Sequence, residues 1–209
     1  MVSVCIASYN GERYIKEQID SILKQLSTED EIIISDDNST DDTLQILSDY
    51  KDSRISVYKN QGTAGLIHNF QNALSKANGN IIFLSDQDDL WHPNKVECCI
   101  NQLKKFDLVL TDCRVVNENG QVLYPSFMKF NSSQKGVVCN LIKNSYIGCC
   151  MAFKKDILKV ALPFPQDIPM HDIWIGFVAE LFYSVDFIYR PLVDYRRHDK
   201  NASISGKKS

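Results

Sequence analysis

Through its first 112 residues the chain alternates short apolar runs with segments whose apolar residues recur at helical spacing, an order that admits few folds. Residues 2–7 read as a buried strand, and Ile15, Ile19, Ile22, Leu23 and Leu26 then mark one face of a helix. Residues 31–35 form a second strand. Ser39 is placed to cap the helix marked by Leu44, Leu47 and Tyr50, and 55–59 is a third strand. Leu66, Phe70, Ala73, Leu74 and Ala77 give a third helix, closed by Asn78-Gly79. A fourth strand at 80–85, a helix opened by Pro93 and running to 105, and a fifth strand at 108–111 complete the series. This predicts the α/β class, with a mainly parallel sheet covered by helices on both faces.

The second half is less regular. Asn119-Gly120 lies between two short apolar pairs and predicts a hairpin. Residues 125–135 read as loop, 149–153 as a strand, the stretch after His171-Asp172 as a helix, and 186–190 and 192–195 as two short strands. The tail from Asp199 is polar. A length of 209 residues without internal repeats fits a single domain over 1–209, in two lobes at 1–112 and 113–209. A net charge of -3 gives no broadly basic surface for nucleic acid. The apolar N-terminus is too short for a signal peptide, and no run is long enough to span a bilayer. A cytoplasmic protein, free or peripherally attached to a membrane, is therefore expected. The seven cysteines form no CxxC pair and read as small buried hydrophobes in a reducing compartment.

Ligands of open parallel sheets bind beyond the carboxyl ends of the strands. Three polar clusters fall there: Ser8-Tyr9-Asn10-Gly11, Asp36-Asp37-Asn38-Ser39 and Asp86-Gln87-Asp88-Asp89. The pair Asp86-x-Asp88 offers hard oxygen ligands suited to Mn2+ or Mg2+ shared with ligand phosphates. Asp89 also fits a plain helix cap, as does Asp172. Trp91 and Trp174 suit either an acceptor groove or core packing.

Taken together, these strings resemble the inverting family 2 glycosyltransferases of the GT-A fold. The resemblance rests on residues 2–11, 33–41 and 85–91 (SDQDDLW), with Met170-His171-Asp172-Ile173-Trp174 and Tyr195-Arg196-Arg197-His198 downstream. It runs from Met1 to about Ser205 and is closest to the bacterial rhamnosyltransferase-like branch. It implies a Rossmann-like nucleotide-sugar-binding half, 1–112, and a smaller mixed acceptor-binding half, 113–209. It implies that Ala7 and Tyr9 hold the donor base and that Asp37 accepts its N3–H, as offered by uracil or thymine. Asp86 then lies near the ribose and the metal, and Asp88 on the metal that bridges the diphosphate. Asp172 is the catalytic base, and His198 reaches the diphosphate or the metal. Arg196 and Arg197 are placed to add positive charge as the diphosphate leaves. The donor would be a UDP- or dTDP-sugar. The acceptor would be a hydroxyl of a surface glycan, free or lipid-linked, in cell-envelope polysaccharide biosynthesis.

Other classes remain open on the residues alone. Asp36-Asp37-Asn38-Ser39-Thr40 comes near the strand-end motif of haloacid-dehalogenase phosphotransferases, with Asn38 in place of the second Asp. A non-catalytic sugar-nucleotide or glycan-binding protein would keep the fold and lose the metal or base carboxylate, yet Asp88 and Asp172 are both present.

Overall fold

The computed structural model describes residues 1–199; the Asn-x-Ser sequon at 201–203 and the rest of the polar tail lie outside the described residues. The first half follows the expected alternation: β1 (Val2–Ser8), α1 (Ile15–Leu23), β2 (Glu31–Asp36), α2 (Thr43–Asp49), β3 (Ile55–Lys59), α3 (Leu66–Lys76) and β4 (Ile81–Asp86). Every residue of β1 is buried, as a central parallel strand with both faces covered demands. Strands β3, β2, β1 and β4 pair in that order, all parallel. Register sets Ala7 level with Ser35 and Asp86, and Ser8 level with Asp36, so three carboxyl ends meet at one edge. Helices α1 and α3 bury Ile15, Ile19 and Ile22, and Phe70, Ala73 and Leu74, against that sheet. Three polar residues, Gln18, Ser21 and Asn69, are buried with them: Gln18 donates to Ser85 Oγ, Ser21 to Gln18 C=O, and Asn69 to the Ser8 carbonyl.

After β4 come β5 (Leu90–Trp91), α4 (Lys95–Leu103), β6 (Leu108–Asn117), β7 (Val122–Tyr124), α5 (Phe127–Asn131) and α6 (Val137–Ile142). A 3-10 turn at Gly148–Cys150, then β8 (Met151–Lys154), α7 (Leu158–Ala161), α8 (His171–Phe182) and β9 (Val185–Arg197), complete the described chain. One sheet runs through both halves, β3-β2-β1-β4-β8-β6-β9-β5, with β7 beside β6. The fifth strand of the sequence reading, β6, therefore does not adjoin β4. Strand β8 enters between them, antiparallel to both. The far end of the sheet curls back, because Trp91 N–H of β5 reaches Ser21 Oγ of α1 at 3.1 Å.

Four local readings change. Helix α2 starts at Thr43, and Ser39 bonds Asp36 instead of capping it. Asp89 precedes strand β5, so it caps no helix. The stretch read as loop contains α5, capped by Ser126 Oγ (Lys129 N–H, 3.1 Å) and fixed by Asp112 fourteen residues upstream (Ser126 O–H, 2.5 Å; Met128 N–H, 2.9 Å). The two short C-terminal strands are one strand, β9. Pro191 sits where its register with β6 shifts, so the missing proline N–H breaks no regular ladder. The hairpin at Asn119-Gly120 is present, with Gly120 at φ 78°.

The approach between β1 and the α3–β4 turn leaves no room at Gly79. Its N–H donates to Ser3 Oγ at 2.7 Å, and a Cβ there would stand 2.7 Å from Ser3 N and 2.8 Å from Val2 C. These are main-chain atoms of the central strand, which cannot rotate away. Gly79→Ala is expected to lower unfolding free energy by about 1–3 kcal/mol, read as a shifted urea midpoint at unchanged slope. An unshifted midpoint would show that the strand gives way at this point.

Candidate active site

The edge where β1, β2 and β4 end gathers the residues of interest. Asp36 is fully buried. It accepts Ser8 O–H (2.9 Å), Ser39 O–H (2.6 Å) and Ser39 N–H (2.9 Å), a structural knot rather than an exposed nucleophile. That removes the phosphotransferase reading. Asp37 is half-buried and pins the loop before α3, taking Asn60 Nδ2–H at 2.8 Å and Gly65 N–H at 2.7 Å. Gly65 adopts φ 120°, a conformation that favours glycine. Tyr9, directly after the end of β1, is 55% exposed. Its main chain is braced by Gln87, whose amide donates to Tyr9 C=O (2.9 Å) and accepts Tyr9 N–H (3.0 Å). A side chain at Gly11 would collide with that amide.

The acidic loop after β4 is held from the far end of the chain. Arg196 donates its main-chain N–H to Asp89 Oδ1 (3.0 Å) and Nε–H to Asp88 C=O (2.9 Å). Its outer nitrogens reach Glu118 C=O (3.3 Å) and Glu17 (2.7 Å), and the guanidinium lies over the Tyr14 ring at 4.6 Å. Arg196, expected on the diphosphate, is thus placed as the brace of the loop. Arg197 Nη1 is 3.3 Å from the Tyr195 hydroxyl. His198 Nε2 lies 2.7 Å from Asp88 Oδ2 and its ring stacks on Tyr14 at 5.3 Å, so two residues 110 apart in sequence meet.

Asp86, Asp89 and Cys149 bring ligand atoms within 4.8 Å of one another. Asp89 is fully buried, and its Oδ2 has no hydrogen-bond partner among the described residues. Burial, then the Asp88 and Asp172 charges, raise the Asp86 carboxyl above its ordinary range. Burial, then Asp88 and Asp86, do the same to Asp89. The counter-charge packed into this cluster is Lys95, fully buried, whose Nζ donates to Cys149 C=O (2.6 Å) and sits 3.9 Å from the Trp91 ring centre. Burial lowers the Lys95 pKa. Repelling carboxylates and an orphaned buried oxygen fit a divalent cation. Burial keeps the Cys149 thiol protonated and hence a weak ligand, so the carboxylates give the set its hard character.

Asp172 stands on the first turn of α8. The cap position belongs to Met170, so Asp172 is no plain N-cap. One carboxylate oxygen takes its own turn's Ile173 N–H and the other takes Gly148 N–H, both at 2.8 Å. Burial pushes its pKa up to about 6. His171 beside it is buried, stacked on Phe70 at 4.0 Å, and pulled down to about 3 by burial. Trp91 is buried in the core and Trp174 donates to Ala161 C=O (2.9 Å), which assigns both to packing. Sequence reasoning missed Gln87, Lys95 and Gly148. Lys95 carries no signal, since a lysine in an amphipathic helix reads as a solvated one.

Residues 3–162 match the profile of Glycosyl transferase family 2, and the chain belongs to this family. It is 32% identical over 167 residues to the Escherichia coli UDP-Glc:alpha-D-GlcNAc-diphosphoundecaprenol beta-1,3-glucosyltransferase WfgD, covering 79% of this chain and 64% of that protein. It is 30% identical to the Shigella flexneri dTDP-rhamnosyl transferase RfbG, covering 97% and 75%. TarS of S. aureus, solved with UDP-GlcNAc, superposes with a TM-score of 0.78 at 21% identity, over 96% of this chain and 59% of that one. The mannosyltransferase PcManGT of Pyrobaculum calidifontis, solved with GDP-Man and Mn2+, gives 0.65 at 19% identity, over 91% and 54%. These superpositions establish the GT-A fold.

The raised carboxylates bear on stability. Between the ordinary carboxylate range near 4 and about 6, native Asp172 holds a proton that the unfolded chain has lost, so rising pH destabilises. His171 acts oppositely from about 3 to about 6.5, because there the unfolded chain binds the extra proton. The two offset. Above about 6.5 Asp86 remains, pushed up to about 8 by burial and its acidic neighbours, and a cation must displace its proton. The thermal-midpoint gain from Mn2+ should therefore be larger at pH 8 than at pH 6.5. An equal gain at both would take the cation away from these carboxylates.

Proposed function

We propose that this chain carries an inverting, metal-dependent glycosyltransferase activity, moving a sugar from a UDP- or dTDP-sugar to an acceptor hydroxyl by single displacement. The observation that carries the reading is Asp172, a carboxylate with pKa about 6 facing the Asp86 cluster. Such a group is ionised at neutral pH yet accepts a proton more readily than an ordinary aspartate. The names of the E. coli and S. flexneri relatives both point to donors with an N3–H pyrimidine. Asp37 suits that base: two of its acceptor sites are taken by Asn60 and Gly65, which leaves others toward the ligand. Tyr9 then packs on the base and Ala7 lies beneath it.

Asp86 and Asp89, whose carboxylate oxygens lie within 4.8 Å of each other, would hold Mn2+ or Mg2+ with the Asp88–His198 pair beside them, and the bound ion would supply Lewis-acid stabilisation of the leaving diphosphate. Arg197 adds charge from the same strand end, while Arg196 keeps the loop in place. Asp172 takes the acceptor proton as its oxygen attacks the anomeric carbon. With one base and no enzyme nucleophile, the configuration inverts. A lipid-linked surface glycan is the acceptor class that the E. coli relative's name supports.

Replacing Asp172 by Asn keeps size and hydrogen-bonding shape but removes the proton acceptor. Transfer should fall by ~10²–10⁴-fold while folding and UDP affinity persist, and the parent's product should be inverted. Near-normal turnover of the Asn variant, or a retained product, would overturn the mechanism.

Calorimetry separates the donor-side assignments. CDP should bind about tenfold or more weakly than UDP, because neutral cytosine leaves an Asp37 acceptor unpaired at roughly 1–3 kcal/mol. EDTA or Asp88→Ala should abolish most UDP affinity. Equal CDP and UDP affinity removes Asp37 from base recognition; indifference to EDTA removes the metal.

A further inference from the structure

Helix α6 is amphipathic in reverse. Its buried residue, Asn140, is polar: it donates to the carbonyls of Gln134 and Gly136, both at 3.0 Å, and accepts Ser145 N–H at 2.8 Å. Its outward residues are apolar, with Val138 69%, Leu141 70% and Ile142 83% exposed. A surface helix of a globular protein normally shows the opposite arrangement. Gly136 N–H donates to Glu180 at 2.7 Å, which sets α6 beside the last turn of α8, where Leu181 and Phe182 are also exposed.

Between Glu118 and Asp156 the sequence holds five lysines and no acidic residue. Lys135 pairs with Asp186, Lys154 with Asp107, and Lys155 donates to Ala77 C=O, so the charge this stretch offers at α6 comes from Lys129 and Lys143. The acids nearest to α6 are engaged inward. Glu180 accepts the Tyr146 hydroxyl (2.8 Å) and Gly136 N–H, and Asp186 accepts Lys135 (2.8 Å) and Gln102. Lys143, next to Ile142, is exposed, and so is Lys129 on α5, whose end is tied to the chain just beyond α6 by Asn131 (Nδ2–H to Asn144 C=O, 3.0 Å).

We propose that this face docks reversibly on an anionic phospholipid bilayer, with Val138, Leu141 and Ile142 entering the interface and Lys129 and Lys143 meeting the headgroups. Charge favours a membrane over a protein partner: Lys129 and Lys143 are exposed and carry no ion pair among the described residues. A few apolar side chains with flanking lysines are enough for reversible attachment, since each basic residue gains from the negative surface potential. Lysine stems also lie along apolar surface while their ammonium groups stay in water. The inference does not depend on the transferase reading.

The test is co-sedimentation of the chain with vesicles of phosphatidylglycerol and phosphatidylcholine, against vesicles of phosphatidylcholine alone. Binding should favour the anionic vesicles, weaken at high salt, and fall at least about tenfold in the double variant Leu141→Glu, Ile142→Glu. Lys143→Glu should weaken it further. Leu44→Glu, at an exposed apolar residue on α2, should leave it unchanged. Circular dichroism and UDP binding should be unaltered in all variants, because the substituted side chains are exposed. Three results would overturn the proposal: no binding to anionic vesicles at low salt, binding that the double variant leaves intact, or a dimer in solution that the double variant dissociates.

Discussion

Four carboxylates, Asp86, Asp88, Asp89 and Asp172, converge on one edge of the sheet, and much of the second half is arranged around the consequences. Burial, and after it the charge of each neighbouring carboxylate, penalises the ionised form, which is why Asp86 and Asp89 resist ionisation. The protein answers this in two ways. It places a fully buried ammonium, Lys95, behind the cluster, and it threads the C-terminal strand back so that Arg196 braces the loop through both main chain and side chain. The remaining deficit of positive charge is what a divalent ion and a cationic strand end are suited to fill.

These contacts explain why one sheet spans both halves. Strand β8 pairs with β4 and β6, and the turn before it supplies both the Cys149 carbonyl for Lys95 and the Gly148 N–H for Asp172. The donor-side carboxylates and the base are therefore fixed to a common backbone rather than to two lobes free to drift. Catalysis that needs a base within hydrogen-bond reach of one point in space benefits from this kind of shared scaffold.

The first half was legible because its signals are local. An apolar run such as 80–85 and a helical stripe such as Leu66, Phe70 and Ala73 each report their own element, and the strand-end rule then places Asp37 and Asp86. The second half depends on pairing between distant segments. Nothing near residues 151–154 announces that they separate β4 from β6, and nothing near Ser126 shows that Asp112 will hold its helix. The same holds inside the site. Asp88 and Asp172 stood out by residue type and context, whereas Lys95 resembles any surface lysine and Gly148 any loop glycine. Their importance lies in where the chain folds them, a property that no window of sequence contains.

The way Asp172 is held bears on its chemistry. A buried carboxylate paired with Arg or Lys would be pulled to low pKa and would become a poor proton acceptor. Left with no partner it would be driven far upward and stay protonated at neutral pH. Two main-chain donors, Gly148 and Ile173, steer between these limits: they orient both oxygens and partly offset burial without importing a full charge. The requirement for such a donor explains the glycine as well. A Cβ at 148 would stand 3.0 Å from His171 Nε2, tighter than ordinary packing, so the glycine lets the backbone approach the carboxylate without displacing that ring.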